Sequence, residues 1–343
     1  MAFLHNLMAI YLDAAFWLVI GLLFAGLLKA WMPADLLQRQ LGQGRLAPTL
    51  KAALIGAPLP LCSCGVLPAA LGLRRAGASN SATVSFMIAT PETGPDSIAL
   101  SYALLGPIMA VARPLAALFS AITTGLLTSL IPETPPLPST LPVAVATGNC
   151  CSNSDCCSKP TNQQQPLLSS LHYAFVDMLD DILLWLAAGL ILAALVMTFI
   201  PPTALAEVGS GALTMLLMLV VGIPMYICAT ASTPLAAAML AAGLSPGAVL
   251  VFLLAGPATN LATMGVIGKE MGRQVLLAYL LGIAASSLLM GVALDVLLED
   301  MGWVVDATVA GEQEWLPDWL KYLAGVGLLT AALASARRSL SQR

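Results

Sequence analysis

The sequence predicts an all-α polytopic membrane protein made of two inverted-topology repeats, with re-entrant hairpins and broken transmembrane helices, plus a C-terminal extra helix. Three observations predict it. The 343-residue chain is 59% hydrophobic and only 9% charged, against about 25% charged residues in an ordinary soluble domain. Its second half repeats its first at an offset of 166 residues. The loops that the repeat pairs with one another carry opposite loads of Lys and Arg.

Apolar runs long enough for a bilayer core of about 30 Å span residues 12–31, 107–131, 182–200, 275–298 and 319–336, with shorter pieces cut by Pro and Gly between them. No Lys or Arg precedes the first run and Lys29 lies near its end. A cleaved signal peptide has the reverse pattern, so the first run reads as a transmembrane helix.

The repeat sets "GAPLPLCSCGVLPAALGLRRAGASNSATVSFMIATPET" over "GIPMYICATASTPLAAAMLAAGLSPGAVLVFLLAGPAT" without a gap. Gly56 falls on Gly222, Pro58 on Pro224, Cys62 on Cys228, Pro68 on Pro234, Gly77 on Gly243, Phe86 on Phe252, Pro91 on Pro257 and Thr93 on Thr259. The preceding helices pair Asp13 with Asp181, Trp17 with Trp185, Gly21 with Gly189 and Pro33 with Pro201. A duplication of this kind must be read before the fold is assigned.

Charge decides between parallel and inverted copies. The loop 33–51 holds Arg39, Arg45 and Lys51, whereas its counterpart 201–211 holds no basic residue. Arg74 and Arg75 face a basic-free "LAAG", and Lys269 with Arg273 face a basic-free "SYALLG". Because cytoplasmic loops collect Lys and Arg, paired loops belong on opposite sides. An N-terminus in the periplasm and a C-terminus in the cytoplasm put all of the 14 Lys and Arg except Arg113 and Lys321 on the cytoplasmic side. The domains are then 1–132, the first repeat; 133–170, a linker; 171–300, the inverted second repeat; and 301–343, a periplasmic acidic loop, a final helix and a basic tail.

Lys51 and the Arg74–Arg75 pair flank "GAPLPLCSCGVLPAALG" and both favour the cytoplasm, so this segment enters and returns on one side. Pro58, Pro60 and Pro68 with Gly65 are expected to break the helix at the turn, and irregular backbone at membrane depth must be buried in protein or line a cavity. The copy around Cys228 enters from outside, and the two tips meet near the midplane, where inverted-repeat transporters place substrate. Side chains two apart in extended chain share a face, which lets Cys62 and Cys64 face the spot approached by Cys228. Three sulfurs suit Cu(I), Zn(II) or trivalent arsenic, and Met225 offers a thioether nearby. A buried Cys is also a small apolar filler, a reading that fits Cys228 alone better than a C-x-C at a proline break.

The Pro-, Ser- and Gln-rich linker carries Cys150, Cys151, Cys156 and Cys157. In the cytoplasm, clustered thiols point to metal or redox chemistry rather than disulfides; C-C-x4-C-C is not the standard zinc spacing, but four nearby thiolates suit a flexible soft-metal chelator, with redox sensing and an incidental Cys-rich linker as the other readings. Glu92 and Asp96 lie in a second proline break, "TPETGPDS", whose copy "GPATNLAT" has Ala258 and Ala262 in their places. An ionisable residue at membrane depth is a candidate for function, so Glu92, Asp96 and Thr93, with Thr259 and Asn260 as neutral oxygens, are assigned to coupling or release. The alternative for the carboxylates is a solvated mouth. No phosphate-binding G-x-x-x-x-G-K-[ST] occurs, so ATP hydrolysis by this chain is not expected.

"PLCSCGVLP" followed by "ATPETGPDS" in a duplicated membrane protein resembles the ArsP-type permease family, the YraQ-like predicted permeases, whose known members export trivalent organoarsenicals. The Cys-rich linker looks more like a related branch described as copper/zinc efflux transporters. The resemblance implies a bacterial inner-membrane heavy-metal efflux permease, with arsenic resistance as its other substrate range. It implies no enzyme activity, no permanent cofactor and a soft metal or metalloid ion as cargo. Membrane lipid, a cytoplasmic metallochaperone and a second copy of the chain are candidate partners; nucleic acid is not. A membrane-embedded thiol oxidoreductase cycling Cys62 and Cys64 and a metal-sensing receptor are the rival readings.

Overall fold

The computed structural model describes residues 46–59, 63–132, 211–223 and 228–303, with isolated positions at 8, 11, 12, 15, 18, 19, 22, 23, 41, 42, 44, 61, 187, 305, 325–327 and 330. Among these the chain is all-helical. In order, the helices are α1 (Leu46–Gly56), α2 (Ser63–Arg75), α3 (Asn80–Glu92), α4 (Pro95–Thr128), α5 (Ala212–Gly222), α6 (Ala229–Ala241), α7 (Pro246–Ala258), α8 (Leu261–Glu270) and α9 (Arg273–Met301).

The bounds repeat as the sequence does. The first residues of α2, α3 and α4 lie 166 positions before those of α6, α7 and α8. Local chemistry repeats with them. Ser79 and Ser245 cap α3 and α7, each accepting from the backbone N–H three residues on at 3.2 Å, the usual way to satisfy a first-turn donor. Gly77 and Gly243 close the preceding turns at φ 103 and 95, a region that only Gly enters without strain. Gly106, at φ 79 and ψ 176, kinks α4 where Gly272 separates α8 from α9. The same glycine therefore leaves one long, kinked helix in the first half and two helices in the second.

Two helices, α4 and α9, are long and apolar enough to cross a membrane, and α7 with α8, bent by 53°, makes a third crossing if the pair is one span. The exposed sides of α4 and α9 carry Val111, Leu115, Phe119, Leu281, Leu289 and Val296. By contrast α3 is buried along its whole length and α7 from Gly247 onward. These central helices have no solvated face, so their apolar residues follow no helical stripe. One core gathers around α1 to α3 with α8 and the start of α9, and another around α5 to α7 with the middle of α4 and the end of α9.

Glycines set the closest approaches. A Cβ on Gly125 of α4 would come within 3.1 Å of Ser81 O and 3.2 Å of Ser85 Cβ, and one on Gly291 of α9 within 2.8 Å of Gly247 O and 2.6 Å of Val251 Cγ2. The contacts occupy equivalent places in the two halves; small residues let membrane helices pack this closely. Three further contacts order the ends. Arg75 Nη2, at the end of α2, donates to Glu270 Oε1, at the end of α8, at 2.6 Å. The N–H of Gly247, at the start of α7, donates to Asp295 Oδ1, near the end of α9, at 2.6 Å. Ser120 of α4 and Ser286 of α9 share a hydrogen bond of 2.7 Å.

The first hairpin differs locally from expectation. Gly65 and Pro68 lie inside α2 rather than at a break. Pro68 instead removes the helical bond that the Cys64 carbonyl would accept, as Pro234 does at Thr230 in α6.

Candidate functional site

The polar centre of the molecule is Arg113 on α4. It is fully buried, as is Glu92 at the end of α3. Arg113 Nε donates to Glu92 Oε2 at 3.0 Å. Its Nη1 donates to Ser101 Oγ at 3.0 Å and to Thr233 Oγ1 at 2.9 Å, and its Nη2 reaches the Ala229 carbonyl at 3.3 Å. Glu92 and Ser101 belong to the first half; Thr233 and Ala229 belong to α6 of the second. Glu92 Oε1 has no hydrogen-bond partner among the described residues. The pair is thus held through one oxygen, not as the two-pronged pair that guanidinium and carboxylate make when nothing else competes.

Elements on both sides tie this pair to the chain just after α1 and to the start of α6. After α3, Thr93 Oγ1 donates to Ala89 O at 2.8 Å and to Ala57 O at 2.9 Å, tying the end of α3 to the chain that leaves α1 toward Cys62. Leu59 O lies 3.9 Å from a Cβ placed on Gly94. On the other side Cys228, half-buried, caps α6, and its carbonyl accepts from Ser232 N–H at 2.9 Å. Ala229, the next residue, is the one that Arg113 grips. The site is therefore a buried ion pair lying between the chain that follows α1 and the start of α6.

The second half keeps the geometry and drops the charge. Tyr279 on α9 stands where Arg113 stands on α4, and its hydroxyl donates to Ala258 O at 2.6 Å, with Ala258 in the place of Glu92. Thr259 repeats the bond of Thr93 to its own helix, to Ala255 O at 2.7 Å, and reaches Ile223 O only at 3.5 Å.

The sequence assigned coupling or release to five residues, and the structure gives them different partners. Glu92 and Thr93 join the centre just described. Asp96 is half-buried in the first turn of α4, where a negative charge complements the helix dipole. Asn260 Oδ1 caps α8 by accepting from Thr263 N–H at 2.7 Å. Thr259 closes α7. Of the thiols, Cys64 is the second residue of α2, in helical rather than extended backbone, so the alternation that would have aligned it with Cys62 does not apply at that position. Cys62, Met225, Cys150, Cys151, Cys156 and Cys157 lie outside the described residues. Among the described residues no group of three or more His, Cys, Asp and Glu stands close enough to hold a metal ion.

Sequence reasoning missed Arg113, Ser101, Thr233 and Tyr279. The signal for Arg113 was present: it is a single cation in the middle of an apolar run, an exception to the charge tally, with a membrane-depth carboxylate 21 residues before it. An isolated buried cation is so costly that it must have a partner.

Comparison with known proteins agrees with a membrane transporter. The ArsP_1 family model, described as predicted permease, matches residues 1–296. A protein of Streptococcus mutans serotype c, whose name describes it as a subunit of a two-component membrane permease complex, is 22% identical over 261 residues, covering 75% of this chain and 83% of the relative. UPF0718 protein YraQ of Escherichia coli K12 is 25% identical over 276 residues, covering 80% of this chain and 75% of the relative. UPF0718 protein YcgR of Bacillus subtilis is 26% identical over 98 residues, or 29% of this chain and 33% of the relative. No solved structure matches significantly. The chain is a membrane protein and belongs to the ArsP_1 family of predicted permeases.

Proposed function

We propose that this permease is a secondary exporter of the bacterial inner membrane, moving a soft metal or metalloid ion from cytoplasm to periplasm, copper or zinc before a trivalent arsenical. The observation that carries the reading is the buried Glu92–Arg113 pair, held between the approach to the Cys62–Cys64 tip and the turn that follows Cys228.

The contacts between helix ends support inverted repeats. Arg75 with Glu270 sets the start of α3 beside the start of α9, and Gly125 with Ser81 sets the end of α4 there too. Asp295 with Gly247 sets the start of α7 at the far end of α9. Equivalent helices then run in opposite senses. The first end carries Arg74, Arg75, Lys269 and Arg273, the other Asp295, Glu299 and Asp300, which favours the first as cytoplasmic.

Depth supports a midplane site. At 1.5 Å per residue, the 13 residues of α3 carry Glu92 roughly 20 Å in from the basic end, and the 13 of α6 carry Cys228 a similar distance from the acidic end. Helices this short do not span a core of about 30 Å alone, in keeping with re-entrant hairpins.

In this reading Cys62, Cys64 and Cys228, with Met225, line the transit path. Thiols bind soft ions as thiolates and lose protons on doing so, and Glu92, with one oxygen uncommitted, is the coupling group. Cys150, Cys151, Cys156 and Cys157 capture the ion on the cytoplasmic side. The streptococcal relative's two-component name makes a second subunit a partner to seek beside a metallochaperone or a second copy. Purified protein in everted vesicles, offered Cu(I), Zn(II) and arsenite in turn, tests the reading: uptake of one of them supports export, and uptake of none refutes it.

A further inference from the structure

We propose that Arg113 is a positioning residue that clamps the Cys228 tip of the second half onto the first half, and that its release from Thr233 and Ala229 is the movement that opens this tip.

The bonds divide evenly between the halves. Glu92 and Ser101 hold the guanidinium from its own side, while Thr233 Oγ1 and Ala229 O receive it from α6. The two acceptors form one unit, because Thr233 Oγ1 itself donates to Ala229 O at 2.7 Å. They are the first and fifth residues of α6, whose N-cap is Cys228. A guanidinium is a rigid planar fork, so rotating it to follow α6 would pull Nε off Glu92, and keeping Glu92 keeps α6 in place.

The clamp exists in one half only. Tyr279, at the equivalent place, has a single O–H, and Ala258 O takes it. The residues equivalent to Thr233 and Ala229 are Leu67 and Ser63 of α2, and a Leu side chain can accept no hydrogen bond. Packing follows the same asymmetry: α6 lies against α4 more extensively than α2 lies against α9. In a transporter whose halves exchange conformations, one tip is fastened and the other is not.

This inference depends on the transit-path reading for its meaning, but its readout is thiol reactivity, which is independent of the ion carried. Take the full chain with Cys62, Cys64, Cys150, Cys151, Cys156 and Cys157 replaced by Ser, reconstitute it, and follow modification of the remaining Cys228 by N-ethylmaleimide. Thr233→Val keeps the shape and removes the acceptor; modification should accelerate about fivefold, the factor for one net hydrogen bond. Arg113→Gln and Glu92→Gln should accelerate it at least as much. Adding Thr233→Val to Arg113→Gln should add little, since both break one interaction. Tyr279→Phe should leave the rate near that of the parent. An unchanged rate in monodisperse Thr233→Val overturns the proposal, whether or not Arg113→Gln folds. So does an equal acceleration by Tyr279→Phe, which would mean general loosening.

Discussion

Ser120 and Ser286 are equivalent residues of the two halves, 166 positions apart, and their hydroxyls touch at 2.7 Å. A residue can meet its own counterpart only where the operation relating the halves passes between them. On the proposed inverted-repeat reading the pseudo-symmetry axis runs through the crossing of α4 and α9, and the buried helices α3 and α7 also pack on one another. With the native cysteines removed, Ser120→Cys/Ser286→Cys should cross-link on mild oxidation. Proteolysis in the linker 133–170 would then leave the halves joined, and neither single variant should do this.

The Glu92–Arg113 pair is a liability as well as a centre. Removing one partner of a buried pair costs about 3–5 kcal/mol, because the other charge is left alone in a low-dielectric interior. Arg113→Ala should lower the unfolding temperature in detergent strongly. Adding Glu92→Gln should recover part of the loss, as the coupling between two residues in contact requires. Equal additive losses would contradict the direct pairing.

Much of the fold was legible because it rests on local chemistry that a duplication copies. Gly77 with Gly243, Ser79 with Ser245, and Thr93 with Thr259 recur in the sequence, and each recurs as the same turn, N-cap or C-cap. Proline was harder to read. Pro58 and Pro68 look alike in sequence, but Pro68 is tolerated within α2 where tertiary packing outweighs one lost backbone bond. Arg113 was passed over because charge bookkeeping treats a cation as a topology marker, whereas burial makes it a structural demand. Asn260 was read as a neutral oxygen for an ion; its spacing before "LAT" also fits an N-cap, and its Oδ1 does cap α8.

The opposed end contacts predict opposed loops. Single cysteines placed in 33–51 and in 201–211 should react with an impermeant maleimide from opposite faces of the membrane. Reaction from one face would remove the inverted arrangement and with it the midplane meeting of the tips.

The linker thiols are assigned to capture rather than passage. Replacing Cys150, Cys151, Cys156 and Cys157 with Ser should raise the metal concentration needed for half-maximal flux while leaving the maximal rate nearly intact. Loss of all flux would place them in the path instead.

The central claim is that sulfur at the two tips carries a soft ion across. Its most direct test is flux into everted vesicles by the full chain compared with Cys62→Ser/Cys64→Ser and with Cys228→Ser, using whichever of Cu(I), Zn(II) or arsenite the parent accumulates. The account predicts that the double variant folds but moves none of that ion, and that Cys228→Ser needs a higher concentration for half-maximal flux. Parental flux from the double variant would contradict it.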